Sequence, residues 1–163
     1  NPHFSGLTNS QKRTENALRG TAKLAYRFSP ELMTYASYSR GYKSGGFNLD
    51  RVAFPYAAGN ANSLQPVLYT RFPGEFVDSF ELGFKSTLAD RRVFLNAAAF
   101  YQDFTDYQLN AFNGFFFSVF PVPEVTSKGI DADILWRPSR SFTLQGGLTY
   151  ADTRYSEKNR ALL

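Results

Sequence analysis

The stretch LRGTAKLAYRFSPE, Leu18 to Glu31, alternates with a period of two. Its even positions read Leu18, Gly20, Ala22, Leu24, Tyr26 and Phe28, and its odd positions Arg19, Thr21, Lys23, Ala25 and Arg27. Successive side chains of a strand point to opposite faces, so this segment carries one apolar face and one cationic or polar face, as a strand does when it separates two environments. Ser29 to Glu31 breaks the pattern with a proline, and Leu32 begins a second strand that runs through YASYSRGYKSGGFN, Tyr35 to Asn48. There Tyr35 and Tyr38 fall on opposite faces, and the pattern alone does not assign the sides.

The same period recurs down the chain. A third strand spans about Val77 to Leu88, with Phe80, Leu82, Phe84 and Leu88 opposed by Ser79, Glu81, Gly83, Lys85 and Thr87. ADRR, Ala89 to Arg92, reverses the chain into a fourth strand, where Val93, Leu95, Ala97, Ala99 and Tyr101 oppose Phe94, Asn96, Ala98, Phe100 and Gln102. A fifth sets Ile130, Ala132, Ile134 and Trp136 against Gly129, Asp131 and Asp133. RPSRS, Arg137 to Ser141, turns it into a sixth, with Phe142, Leu144, Gly146, Leu148 and Tyr150 on one side. Six strands and no helical period make the chain all-β.

Connections alternate between short and long. The short ones are Ser29 to Glu31, Ala89 to Arg92 and Arg137 to Ser141; the long ones are about Leu49 to Phe76 and the segment around Asn113. All short turns then lie at one end of an up-and-down antiparallel sheet, the asymmetry of outer-membrane barrels. Phe28, Phe94, Trp136 and Phe142 lie near the short turns, and Tyr38, Tyr42, Tyr101, Tyr107, Tyr150 and Tyr155 toward the other ends, as two interfacial girdles would require. A soluble β-sandwich with its aromatics inside has the same alternation. Several strands exceed the roughly 9 to 11 residues a tilted membrane strand needs. The expectation is that they project, with Gly45 and Gly46 releasing the second strand into an outer loop.

Composition agrees. Of 163 residues, 17 are Phe and 10 are Tyr, while the hydrophobic share is an ordinary 43%. Apolar surface is thus carried by rings more than by a compact aliphatic interior. No apolar run approaches the ~18 residues of a membrane helix. The chain has no cysteine, which excludes disulfides and thiolate metal sites. The net charge of +4 comes from basic residues scattered singly, so nucleic acid is not the expected partner. The sole histidine, His3, sits in an irregular terminus and anchors no triad. No glycine-rich loop precedes a helix to cradle a phosphate. The chain is therefore expected not to be an enzyme and to need no cofactor. Its opening residues, NPHFSGLTNSQKR, lack the apolar core of a signal peptide, which suits an internal piece of a longer protein.

Four segments carry a family likeness: YASYSRGYKSGGFN, VDSFELGFKS (Val77 to Ser86), NAAAFYQDFTDYQ (Asn96 to Gln108) and SKGIDADILWRPS (Ser127 to Ser139). In this order and at hairpin spacing they resemble consecutive barrel segments of TonB-dependent outer-membrane receptors, especially the iron-complex and siderophore branch, from about Arg13 to Glu157. The resemblance implies a closed transmembrane β-barrel of about 22 strands with a plug in its lumen, importing a scarce nutrient with energy delivered by TonB. Residues 1–163 are then one partial barrel domain of about six strands, lacking the plug, the TonB-contacting segment or TonB box, and the C-terminal strands. The implied location is the outer membrane of a Gram-negative cell, with lipid, TonB acting through the plug, and a ferric siderophore as partners. Another nutrient, such as a vitamin, haem or an oligosaccharide, suits the same architecture.

Candidate site residues follow. Arg19, Lys23, Arg27, Glu81, Lys85, Asp131 and Asp133 are expected to face a lumen, as ligand-guiding or plug-contacting charges or as cross-strand ion pairs in a wet interior. Arg51, Tyr56, Tyr69, Arg71 and Phe72 in the long loop pair cations with rings, which suits an anionic, ring-containing chelate or the capping of a barrel mouth. In FNGFFFSVF, Asn113-Gly114 marks a tight turn, and Phe112, Phe115 and Phe116 form a ligand platform or pack on neighbouring loops. Asp131 and Asp133 share a face but lack the further ligands a metal site needs, so no metal is expected.

Overall fold

The computed structural model describes residues 12–48, 71–112 and 117–156. These form eight strands: β1 (Gly20–Ser29), β2 (Leu32–Lys43), β3 (Gly46–Phe47), β4 (Arg71–Phe72), β5 (Glu75–Leu88), β6 (Val93–Phe112), β7 (Phe117–Ser139) and β8 (Phe142–Tyr155). Six of them make one antiparallel sheet in the order β1-β2-β5-β6-β7-β8, and β3 pairs with β4 in a small second sheet. The large sheet is an up-and-down meander, as the alternation predicts. Its turns at Pro30–Glu31, 89–92 and 140–141 share one end. Main-chain bonds from Thr87 to the Glu31 carbonyl (2.8 Å) and from Arg137 to the Arg92 carbonyl (2.7 Å) tie neighbouring hairpins together there.

Register fixes which side chains share a face, because directly paired residues point the same way. One row reads Leu24, Ala36, Leu82, Ala99, Ile130 and Tyr150, and the row beside it Tyr26, Thr34, Phe84, Ala97, Ala132 and Leu148. Leu24, Leu82 and Leu148 on this apolar face are 76%, 65% and 66% exposed, and among the described residues no second layer covers them. The only fully buried hydrophobic side chain described is Val125. A sandwich keeps its apolar residues between two sheets. This sheet leaves them on an open surface that lipid would cover.

β2, which the pattern leaves unassigned, is resolved by its neighbours. Tyr38 lies opposite Phe80 on the apolar face, with ring centroids 5.1 Å apart, and Tyr35 lies opposite Gly83 on the polar face. Phe94 does not belong to the girdle near the short turns. It pairs with Thr87 and Leu135 on the polar face, where the Arg137 guanidinium sits 5.7 Å from its ring centre.

One further expectation is corrected and another is extended. The segment around Asn113 is not a long loop following a strand that stops near Gln102. β6 runs 20 residues to Phe112 and β7 runs 23 from Phe117, paired from Val93–Trp136 to Phe112–Phe117 except at Asp106 and Pro123, so the hairpin projects well past β5 and β8. β2 does end at Lys43, just before Gly45 and Gly46, but these glycines do more than release it. A Cβ on Gly45 would lie 2.5 Å from the Phe72 carbonyl oxygen, and one on Gly46 would lie 2.8 Å from the Phe72 ring. Here glycine allows two chain segments to touch, and β3 and β4 pair across that contact.

Candidate functional site

Opposite the short turns, three stretches distant in sequence converge on this contact. The excursion from β2 to β5 is pinched at its base, where β3 meets β4. Gly74 lets the outgoing arm press on Tyr42, whose ring would lie 2.6 Å from a Cβ at that position. Gln108 of β6 is only 8% exposed. Its carboxamide donates to the Ser44 carbonyl of the incoming arm (2.9 Å) and the Pro73 carbonyl of the outgoing arm (3.1 Å), while its main-chain N–H donates to the Glu75 carboxylate (2.9 Å). All of these buried polar groups are thereby satisfied.

The stretch before β1 closes the other side. The Glu15 carboxylate accepts from the Tyr42 hydroxyl and from the Gly45 N–H (3.0 Å), and pairs with Arg13. Arg13 also donates to the Phe72 carbonyl at 3.0 Å. The Tyr42 hydrogen bond first, then the Gly45 N–H and Arg13, hold the Glu15 carboxyl below its usual value against an opposing desolvation. Beyond the base, Asn48 makes a two-way amide pair with Val119 of β7, donating to its carbonyl (3.1 Å) and accepting from its N–H (2.8 Å). Those groups of Val119 therefore point away from β6, toward an edge that β8 does not reach; Pro121, two residues on, has no N–H to leave unpaired there.

The polar face carries a second constellation. Lys23, Ser37, Glu81, Phe100 and Gly129 share one row, and Arg27, Met33, Lys85, Asn96 and Asp133 share another. The ammonium of Lys23 sits 4.1 Å from the centre of the Tyr35 ring. Thr149 donates to Asp131 (2.7 Å) and Asn96 to Asp133 (2.8 Å). Among the described residues none of these charges is ion-paired to another, where cross-strand ion pairs are one sequence expectation; a ring lies by Lys23 and neutral donors hold Asp131 and Asp133. Arg19 precedes β1 and lies outside the register. No three metal-ligating side chains come together among the described residues.

Of the loop residues singled out by sequence, Arg51, Tyr56, Tyr69, Phe115 and Phe116 lie outside the described residues, as does His3. Arg71 is exposed in β4. Phe72 packs its ring on Gly46, a structural use. Phe112 is exposed and stacks on Phe117 with centroids 4.8 Å apart. Sequence reasoning misses Glu15, Asn48, Gly74 and Gln108, because each acts across a long chain separation that no local period records.

A sheet with an open apolar face, a polar face and one end elaborated into pinned excursions suits a piece of barrel wall. Comparison with known families agrees: the family described as TonB dependent receptor-like, beta-barrel is matched over residues 1–162. The chain belongs to the TonB-dependent receptor family. Its sheet is similar to parts of several solved family members. The ferric yersiniabactin uptake receptor FyuA of Yersinia pestis matches with a TM-score of 0.62 at 22% identity, over 85% of this chain and 18% of that one. The siderophore receptor PirA of Pseudomonas aeruginosa gives 0.59 at 14% identity, over 82% and 24%. The alcaligin outer-membrane receptor FauA of Bordetella pertussis gives 0.59 at 18% identity, over 88% and 23%. The chain thus spans less than a quarter of the length of the receptors it matches. The family is one of outer-membrane receptors and transporters rather than of enzymes.

Proposed function

We propose that the chain forms part of the wall of an outer-membrane receptor that imports a ferric siderophore. The observation that carries this reading is the sheet itself, whose apolar face suits lipid and whose meander is similar to segments of receptors for ferric yersiniabactin and alcaligin. In the complete receptor the polar face lines the lumen of a closed barrel of about 22 strands. Lys23, Arg27, Glu81, Lys85, Asp131 and Asp133 then surround a plug, and TonB acts through that plug. Arg71 and Phe112, with Arg51, Tyr56, Tyr69, Phe115 and Phe116, supply cations and rings at the mouth for an anionic, aromatic chelate.

Uptake of radio-iron presented as phenolate, catecholate or hydroxamate chelates tests the cargo. Cells carrying the receptor should accumulate iron from one chelate class, and cells lacking it should lose that uptake. Undiminished uptake of all three, with lost uptake of a vitamin, haem or an oligosaccharide, would move the reading to another nutrient on the same architecture.

A further inference from the structure

The hydrogen bonds at the base of the β2–β5 excursion form a series of links rather than a cluster. From the first stretch, Glu15 reaches Tyr42 at the end of β2 and Gly45 just beyond it. One residue from Gly45, the Ser44 carbonyl receives Gln108 of β6, which also holds Pro73 on the returning arm. Past Gln108, β7 is tied back to the same excursion through Asn48 and Val119. At Gly45 the two arms meet backbone to backbone, and at Gly74 the returning arm lies directly on the Tyr42 ring. Asp106, at φ 55°, lies between Thr105, the last β6 residue paired with β5, and Gln108, so β6 changes course just before it makes these bonds.

We propose that Glu15 and Gln108 make this base a joint through which residues 12–18, the two arms of the excursion and the projecting β6–β7 hairpin move as one body. Gln108 is its positioning residue. It donates to both arms at once, so neither arm separates from the hairpin without stranding a buried donor and a carbonyl. This deepens the receptor reading, since a ligand that draws on any one of the three stretches displaces the other two. The links themselves require no ligand.

The test uses the complete receptor in lipid nanodiscs, without ligand, carrying nitroxide pairs at Thr14 and Asn110 and at Lys43 and Asn110, all exposed positions. Pulsed electron resonance should give a single narrow distance for each pair. Gln108→Leu, which keeps the bulk and removes both donors, should abolish the narrow distance in both pairs. Glu15→Gln should abolish it for Thr14 with Asn110 and leave Lys43 with Asn110 unchanged, because its link lies upstream in the series. Should Gln108→Leu lose the heat-modifiable mobility of a folded barrel, Glu75→Ala, which removes only the acceptor of the Gln108 N–H, should broaden both pairs instead. Narrow distances retained in every folded variant, or a Gln108→Leu effect confined to Lys43 with Asn110, would overturn the joint. Either result leaves the uptake assay, and the receptor reading with it, standing separately.

Discussion

Tyr35 of β2 lies directly opposite Gly83 of β5, and its ring fills the space a side chain at Gly83 would need: a Cβ there would sit 2.7 Å from the ring and its hydroxyl oxygen. Phe100 of β6 faces Gly129 of β7 in the same way, 2.8 Å from a Cβ built on that glycine. Both pairs lie on the polar face, where a ring laid over a glycine pins the register that alternation alone leaves free to slip.

The two glycines should nonetheless differ in tolerance. At Gly83 the obstacle is the far end of a side chain, which can swing, so Gly83→Ala should cost about 1 kcal/mol. At Gly129 a Cβ would also lie 1.9 Å from the Tyr150 carbonyl oxygen, and main chain cannot swing. Gly129→Ala should therefore cost about 3 kcal/mol or prevent insertion. Urea unfolding of the lipid-embedded receptor measures both, and equal losses would show that the rings set the limit in each.

The turn between β5 and β6 places Ala89, Asp90 and Arg91 at φ of 51°, 53° and 66°. Left-handed backbone is unfavourable for residues with a Cβ and free for glycine. Replacing Arg91 by glycine should stabilise the receptor by about 1 kcal/mol in the same unfolding assay. A loss of stability would mean that the Arg91 side chain outweighs the relief of strain.

Asp106 holds a positive φ inside a strand, which aspartate tolerates better than branched residues do. Asp106→Gly should be nearly neutral, whereas Asp106→Val should cost about 1–2 kcal/mol and loosen the hairpin beyond it. Amide exchange at Gln108 reports the second effect directly. Unchanged protection in Asp106→Val would show that the bend is not needed to seat Gln108.

Glu15 is held ionised by Tyr42 first, then Gly45 and Arg13, so its carboxyl protonates below the usual value of 4.5. A depressed carboxylate contributes stability above its unfolded value, and that contribution is lost as pH falls through the folded one. Exchange protection of the Gly45 N–H, corrected for intrinsic rate, should stay level from neutral pH down to 4.5 and fall beneath it. Glu15→Gln should flatten the profile.

The legible part of this fold is the part written in nearest-neighbour chemistry. β1, β5 and β8 alternate cleanly because one face is apolar and the other is small or polar. β2 does not, because Tyr35 and Tyr38 are both aromatic and do opposite jobs, one covering a glycine among charges and the other stacking on Phe80. The projecting half of β6–β7 is hidden by Pro121 and Pro123, which ordinarily argue against a strand; Pro121 sits where no partner strand needs its N–H. Gly45 and Gly46 read as a release, and only the return of Phe72 reveals the close contact they also make. Gln108 is a polar residue in a polar run until β2 and β5 bring two carbonyls to its carboxamide.

The central claim is that the face bearing Leu24, Leu82, Ala99, Ile130 and Leu148 meets lipid and the opposite face does not. Single cysteines at these positions, and at Lys23, Glu81, Ala98, Asp131 and Thr149 on the other face, can be labelled with an environment-sensitive fluorophore in a complete receptor freed of any other reactive cysteine; this stretch contributes none. Spin-labelled lipid should quench the first set strongly and the second set scarcely at all, alternating residue by residue along each strand. Equal quenching of both sets, or none of the first, would contradict the account and leave the apolar face to be covered by protein.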